Sequence, residues 1–175
     1  MFVISVLFLS CQQNEKPAND HDQIRIFVNK LEEESLGQML EEQTFYIGTD
    51  SLEMHPLEEL SGLLCFYFSS ETCTPCIIRT IDIIKEYISD YETNVEIQFV
   101  AVDFPVKYKE GYYGKKVLSL EKNKLSIPLE NHFAPFFFLI DGSRKIKSVH
   151  VVNKDDYERT ADYLREMRDR VELIN

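Results

Sequence analysis

The chain has 175 residues, 44% of them hydrophobic and 28% charged, which suits one globular domain with its own core and excludes a disordered chain. Its formal net charge is −11 and its Lys and Arg residues are scattered, so no basic stripe marks a nucleic-acid partner. The acidity keeps the chain soluble or screens out acidic partners, and composition alone does not separate the two.

Residues 2–9 are almost wholly apolar, too few to cross a bilayer as a helix, and are followed by polar Gln12, Gln13, Asn14, Glu15, Lys16 and Pro17. This pattern reads as a secretion signal. Ser10 directly before Cys11 resembles the bacterial lipoprotein processing site, which predicts Cys11 as the lipidated residue of a membrane-anchored, extracytoplasmic (periplasmic) monomer. No Lys or Arg precedes the apolar run and Leu9 stands two residues before Cys11; the alternative is a buried N-terminal segment with Cys11 as a free thiol. Residues 1–21 are thus assigned to signal and linker and 22–175 to one domain, with 22–56 as an N-terminal extension and 57–172 as its core.

Ile24, Phe27, Val28 and Leu31 recur at helical spacing until Ser35, Leu36 and Gly37 break the pattern, and Glu32, Glu33 and Glu34 read as its solvated face. Residues 44–47 and 51–54 flank Gly48, Thr49 and Asp50 as a short strand pair. The continuous apolar run 63–68 reads as a buried strand, and Cys65 within it as an inert buried thiol. Ile77, Ile81, Ile84, Ile88 and Tyr91 then step by four and three, marking an amphipathic helix. Residues 95–102, rich in β-branched side chains, give a second buried strand and close a βαβ unit. Residues 105–133 are mixed, with a helix expected around 115–122, and Tyr112 and Tyr113 either face a substrate or pack structurally. Two further strands, 136–140 and 145–152, flank an Asp141-Gly142 turn, with His150 expected to point outward. Tyr157, Ala161, Leu164, Met167 and Val171 mark a terminal helix.

Cys73-Thr74-Pro75-Cys76 falls at the strand-to-helix junction. There Cys73 meets the free N–H groups of the first helical turn, which favour a thiolate and make it the nucleophile, with Cys76 resolving the mixed disulfide. Pro75 stiffens the turn where a missing N–H costs little. A permanent disulfide and half of a zinc site are the competing readings, and zinc lacks a second pair of ligands. His132 either modulates the thiolate or is an ordinary loop residue.

The stretch from Ser61 to Cys76 is similar to the core strand and active-site turn of extracytoplasmic TlpA/ResA-like thioredoxin-fold proteins, and Ala134-Pro135-Phe136-Phe137-Phe138-Leu139-Ile140-Asp141-Gly142 resembles their second signature. The resemblance covers about residues 57–172 and implies an α/β fold, a thioredoxin-like three-layer α/β/α sandwich with a central mixed sheet. It further implies a thiol–disulfide oxidoreductase that reduces extracytoplasmic protein disulfides, draws on a membrane electron donor and needs no organic cofactor or metal. By motif, Pro135 becomes a cis-proline facing the cysteines and Ala134 the position that docks the substrate strand. This chain departs from the family at Thr72, where Trp is frequent, and at Tyr67, where many members keep a buried acid for moving protons. Either another residue or water replaces that acid, or turnover is slow; Glu71 is near it in sequence. Two other functions fit the same residues less closely: a peroxide reductase using Ser69 and Arg79, and a non-catalytic binding module stapled by the disulfide.

Overall fold

A computed structural model describes residues 20–42, 44–47, 53–88, 91–103, 113–120 and 125–172. The assignments made for residues 1–19, Cys11 among them, and for Tyr112 lie outside the described residues. Among the described residues no helix is long and apolar enough to cross a membrane.

Helix α1 spans Asp20–Ser35, β1 Thr44–Ile47, β2 Glu53–Pro56, β3 Leu64–Ser69, α2 Thr74–Tyr87, β4 Ile97–Val102, β5 Val117–Ser119, β6 Phe136–Ile140, β7 Ile146–Val151 and α3 Tyr157–Glu172. The strands form one mixed sheet in the order β2-β1-β5-β4-β3-β6-β7. β3, β4 and β5 run parallel, while β6, β7 and the β1–β2 pair run antiparallel to their neighbours. β3 lies between β4 and β6, buried on both faces, which is why it reads as an unbroken apolar run rather than an alternating one.

Each face of the sheet carries its own apolar layer. Val28 and Leu31 of α1 pack with Cys65, Tyr67, Val100, Phe136 and Phe138 on one side. Ile77, Ile81 and Ile84 of α2 and Leu164 and Met167 of α3 pack with Phe66, Phe68, Phe99 and Phe137 on the other. The α/β/α sandwich follows from this division. Phe66 sits at the centre of the second layer, its ring centroid 5.0 Å from Phe137 and 5.4 Å from both Phe68 and Phe99.

Several expectations are corrected by the tertiary contacts. The helix expected around 115–122 is instead strand β5, because buried Val117, Leu118 and Ser119 pair in parallel with Phe99, Val100 and Ala101. Helix α2 ends at Tyr87, where Ile88 turns extended; Tyr91 lies beyond it, buried, its hydroxyl donating to the Tyr113 carbonyl. Tyr113 also stands edge-on to Phe68 at 6.0 Å, a packing role. His150 points inward rather than outward: its Nε2 is 3.0 Å from the Thr160 hydroxyl and its ring stacks on Tyr163 at 4.7 Å. Glu33 and Glu34 are exposed, but Glu32 is buried, accepting from the Val151 N–H at 2.7 Å and from the Arg159 guanidinium. The strand β7 and helix α3 that cover it are remote in sequence, so the local Glu run carries no sign of this burial.

Candidate active site

The turn between β3 and α2 is closed by short-range bonds. Thr72 Oγ1 accepts from the Ser69 N–H at 3.0 Å, the Thr72 N–H donates to the Ser69 carbonyl at 3.0 Å, and the two hydroxyls lie 3.2 Å apart. Thr72 is buried, a small residue that ties the turn from within. Cys73 follows as the N-cap of α2, its sulfur accepting the Cys76 N–H at 3.3 Å. A sulfur so placed collects the helix's unpaired N–H groups and the positive end of its dipole, which favours the thiolate of the reduced state. Thr74 and Pro75 occupy the first turn, exposed, where the absent Pro75 N–H leaves no bond unmade.

Cys73 and Cys76 are joined as a disulfide, with their Cα atoms 5.2 Å apart. Cys73 is exposed and Cys76 half-buried, so the first sulfur is the one a macromolecule reaches. Cys65 is fully buried, and burial pushes its thiol pKa far above the ordinary range, so it takes no part in exchange at neutral pH. Among the described residues no group of three or more His, Cys, Asp or Glu is arranged to hold a metal ion.

Both cysteines line a groove of about 320 Å³ whose other walls are α1, through Ile24 and Phe27, and the segment His132 to Pro135. Ala134 and Pro135 line the same groove as the disulfide. The Ala134–Pro135 bond is trans, however, since no described peptide bond is cis; trans is the ordinary state of an X–Pro bond, favoured by about 0.5–1 kcal/mol. The Pro135 carbonyl is taken by the Val152 N–H at 2.9 Å, whereas Ala134 makes no backbone hydrogen bond among the described residues. His132 shares the groove, its ring standing edge-on to Phe27 at 5.1 Å.

Tyr67 and Glu71 face a separate, smaller cavity of about 190 Å³, lined also by Ser69, Ser70, Asp103, Glu130 and Phe133. Tyr67 is buried and stacked on Phe136 at 4.4 Å, with the Glu130 carboxylate near its hydroxyl. Burial and then the charge of Glu130 raise the Tyr67 pKa well above the usual phenol range, so it stays protonated. Glu130 is the residue that sequence reasoning missed. A buried carboxylate does stand beside position 67, but it arrives from a 3-10 turn, Pro128–His132, more than sixty residues away. Its two oxygens also accept the Leu125 N–H at 2.8 Å and the Ile127 N–H at 3.3 Å, so it fixes the loop that leads to Ala134. An acid that follows apolar Ile127 and Leu129 was the available signal.

Ser69 and Arg79 are not brought together with Cys73: the Ser69 hydroxyl engages Thr72, and the Arg79 guanidinium lies over the Tyr157 ring at 5.9 Å. The constellation for binding peroxide at a cysteine is therefore not assembled from them.

No family model matches the chain, and no curated protein matches it. Its fold is similar to the solution structure of a candidate protein disulfide isomerase from Bacteroides thetaiotaomicron, with a TM-score of 0.52 and 18% identity over 75% of this chain and 89% of that one. It is also similar to a candidate electron transfer protein from Aquifex aeolicus VF5, with a TM-score of 0.50 and 13% identity over 77% of this chain and 95% of that one. At such identities the likeness is one of fold, which is α/β and thioredoxin-like.

Proposed function

We propose that the protein is a thiol–disulfide oxidoreductase that reduces disulfides of extracytoplasmic proteins through Cys73 and Cys76. The observation that carries this reading is the placement of Cys73: exposed, at the N-cap of α2, its sulfur turned toward the Cys76 N–H and open to a groove beside Ala134. In the reduced state the Cys73 thiolate attacks one sulfur of a substrate disulfide; that S–S bond breaks and the other sulfur leaves, taking up a proton from water. Cys76, having lost its proton, then attacks the Cys73 sulfur and releases the second substrate thiol. The enzyme is left oxidised, two electrons having passed to the substrate, and a membrane electron donor carrying a dithiol returns them. Ala134, with no backbone partner among the described residues, docks the substrate strand. The apolar run 2–9 and the Ser10-Cys11 pair support a lipid-anchored location outside the cytoplasm, in the periplasm.

Insulin reduction by dithiothreitol tests the reading. The protein should accelerate precipitation of the insulin B chain, and Cys73→Ser should fall to the uncatalysed rate. Cys76→Ser should accumulate a mixed disulfide with insulin, visible as a mass increase that dithiothreitol removes. Equal rates for the native protein and Cys73→Ser would refute it, as would a reduction potential below about −300 mV, the range of permanently closed structural disulfides.

A further inference from the structure

Helix α1 lies outside the stretch that carries the family resemblance, yet it forms one wall of the groove that holds the redox pair. Its apolar stripe does two things. Val28 and Leu31 are buried against the sheet, while Ile24 and Phe27, one turn earlier, stay 41% and 48% exposed and line the groove. Phe133 lines the same groove, 57% exposed and held at φ 55°. A bulky side chain in the left-handed region is uncommon and strained, and the surrounding fold must sustain it. Three large apolar groups kept in water around a reactive disulfide, one of them on strained backbone, mark a surface meant to be covered.

Resting on the oxidoreductase reading, we propose that the substrate is a polypeptide whose cysteine lies in an extended segment with a bulky apolar side chain one or two residues away, and that this side chain inserts between Phe27 and Phe133. The groove takes in Cys73 and the backbone at Ala134, which has no hydrogen-bond partner among the described residues, so one extended strand reaches all three. A small dithiol offers nothing to fill about 320 Å³ of apolar space. Charge does not select the substrate: none of the residues lining the groove is Asp or Glu, in a chain that has 30 of them, and Lys154 alone carries a fixed charge.

The test uses the full chain and two peptides, each in mixed disulfide with glutathione, identical except for Phe or Ser beside the cysteine. Dithiothreitol regenerates the protein. The native protein should prefer the Phe peptide by roughly tenfold or more in kcat/KM, the range expected of an apolar pocket, and the preference should persist at high salt. Phe27→Ser should lower kcat/KM for the Phe peptide to the level of the Ser peptide and so remove the preference. Phe133→Gly should remove it too, and because glycine adopts φ 55° without strain this variant should be no less stable than the native protein, which separates a substrate contact from a structural role. Equal kcat/KM for the two peptides, with insulin still reduced, would overturn the inference and leave the oxidoreductase reading standing. Failure to reduce either peptide or insulin would remove that reading and the inference with it. A dimer at assay concentration that Phe27→Ser dissociates would make a second copy of the chain the occupant, and would also overturn it.

Discussion

Glu32→Ala should lower the stability of the protein by about 2–4 kcal/mol, seen as a lower urea midpoint at unchanged slope. Glu32 is 9% exposed and joins three elements: it sits on α1, accepts the Val151 N–H of β7 at 2.7 Å and pairs with Arg159 of α3. Alanine leaves the Val151 N–H without a partner, a cost of about 1–3 kcal/mol. The cost of stranding Arg159 is smaller than in a fully buried pair, where removing one partner costs about 3–5 kcal/mol, because its side chain is 30% exposed and turns toward water. Glu32→Gln keeps a carbonyl oxygen for Val151 and should lose less than Glu32→Ala. Since Ile24 and Phe27 stand on the helix that Glu32 fastens, the alanine variant should also blunt discrimination between the Phe and Ser peptides. A stability loss below about 0.5 kcal/mol would mean that Val28 and Leu31 alone hold α1 to the sheet.

Glu32 also shows where reading the sequence stops. Elements whose burial is set by their own periodicity were legible: β3 as a continuous apolar run, α2 and α3 as stripes of period 3.6, the β6–β7 hairpin from Asp141 and Gly142. The redox pair was legible because its chemistry needs only four consecutive residues and a helix start. What stayed hidden depends on partners far along the chain. Glu32 looks like one of three solvated acids until Val151 and Arg159 close over it, 119 and 127 residues away. β5 has three residues, too few for a period, and becomes a strand because the edge of β4 is there to pair with it. The Asp141-Gly142 turn is in place, but its left-handed residue is Arg144, and Asp141 fixes the turn by accepting from the Ser143 N–H at 2.9 Å and the Lys145 N–H at 3.1 Å. Position 67 lacks the acid the family resemblance leads one to look for, and Glu130 supplies a carboxylate beside Tyr67 from a different loop. Motif reading compares positions along the chain, whereas the chemistry responds to positions in space.

The second large effect concerns acid stability, which should fall by about 2 kcal/mol between pH 7 and pH 5 through His150 alone. His150 is 3% exposed, and burial first, then the Arg159 guanidinium, push its pKa down to about 3. Its Nδ1 lies 3.6 Å from Glu32 Oε1, but this is no ion pair at neutral pH: the carboxylate is already paired with Arg159, and the imidazole is neutral. In the unfolded chain the same ring titrates near pH 6.5. Between about pH 6.5 and 3 the unfolded state therefore binds one proton more than the native state, and stability rises with pH there. The contribution is fully present above about pH 6.5 and is lost as pH falls toward 3, at roughly 1.4 kcal/mol per unit. Measuring urea midpoints from pH 7 to 5 keeps clear of most carboxylate titration. His150→Gln retains a donor or acceptor for Thr160 but no titrating ring, so its profile should be nearly flat in that window although its stability at pH 7 is lower. Parallel profiles for the two proteins would show that His150 takes up its proton in the folded state as readily as in the unfolded one, and that burial and the Arg159 guanidinium do not keep the ring neutral.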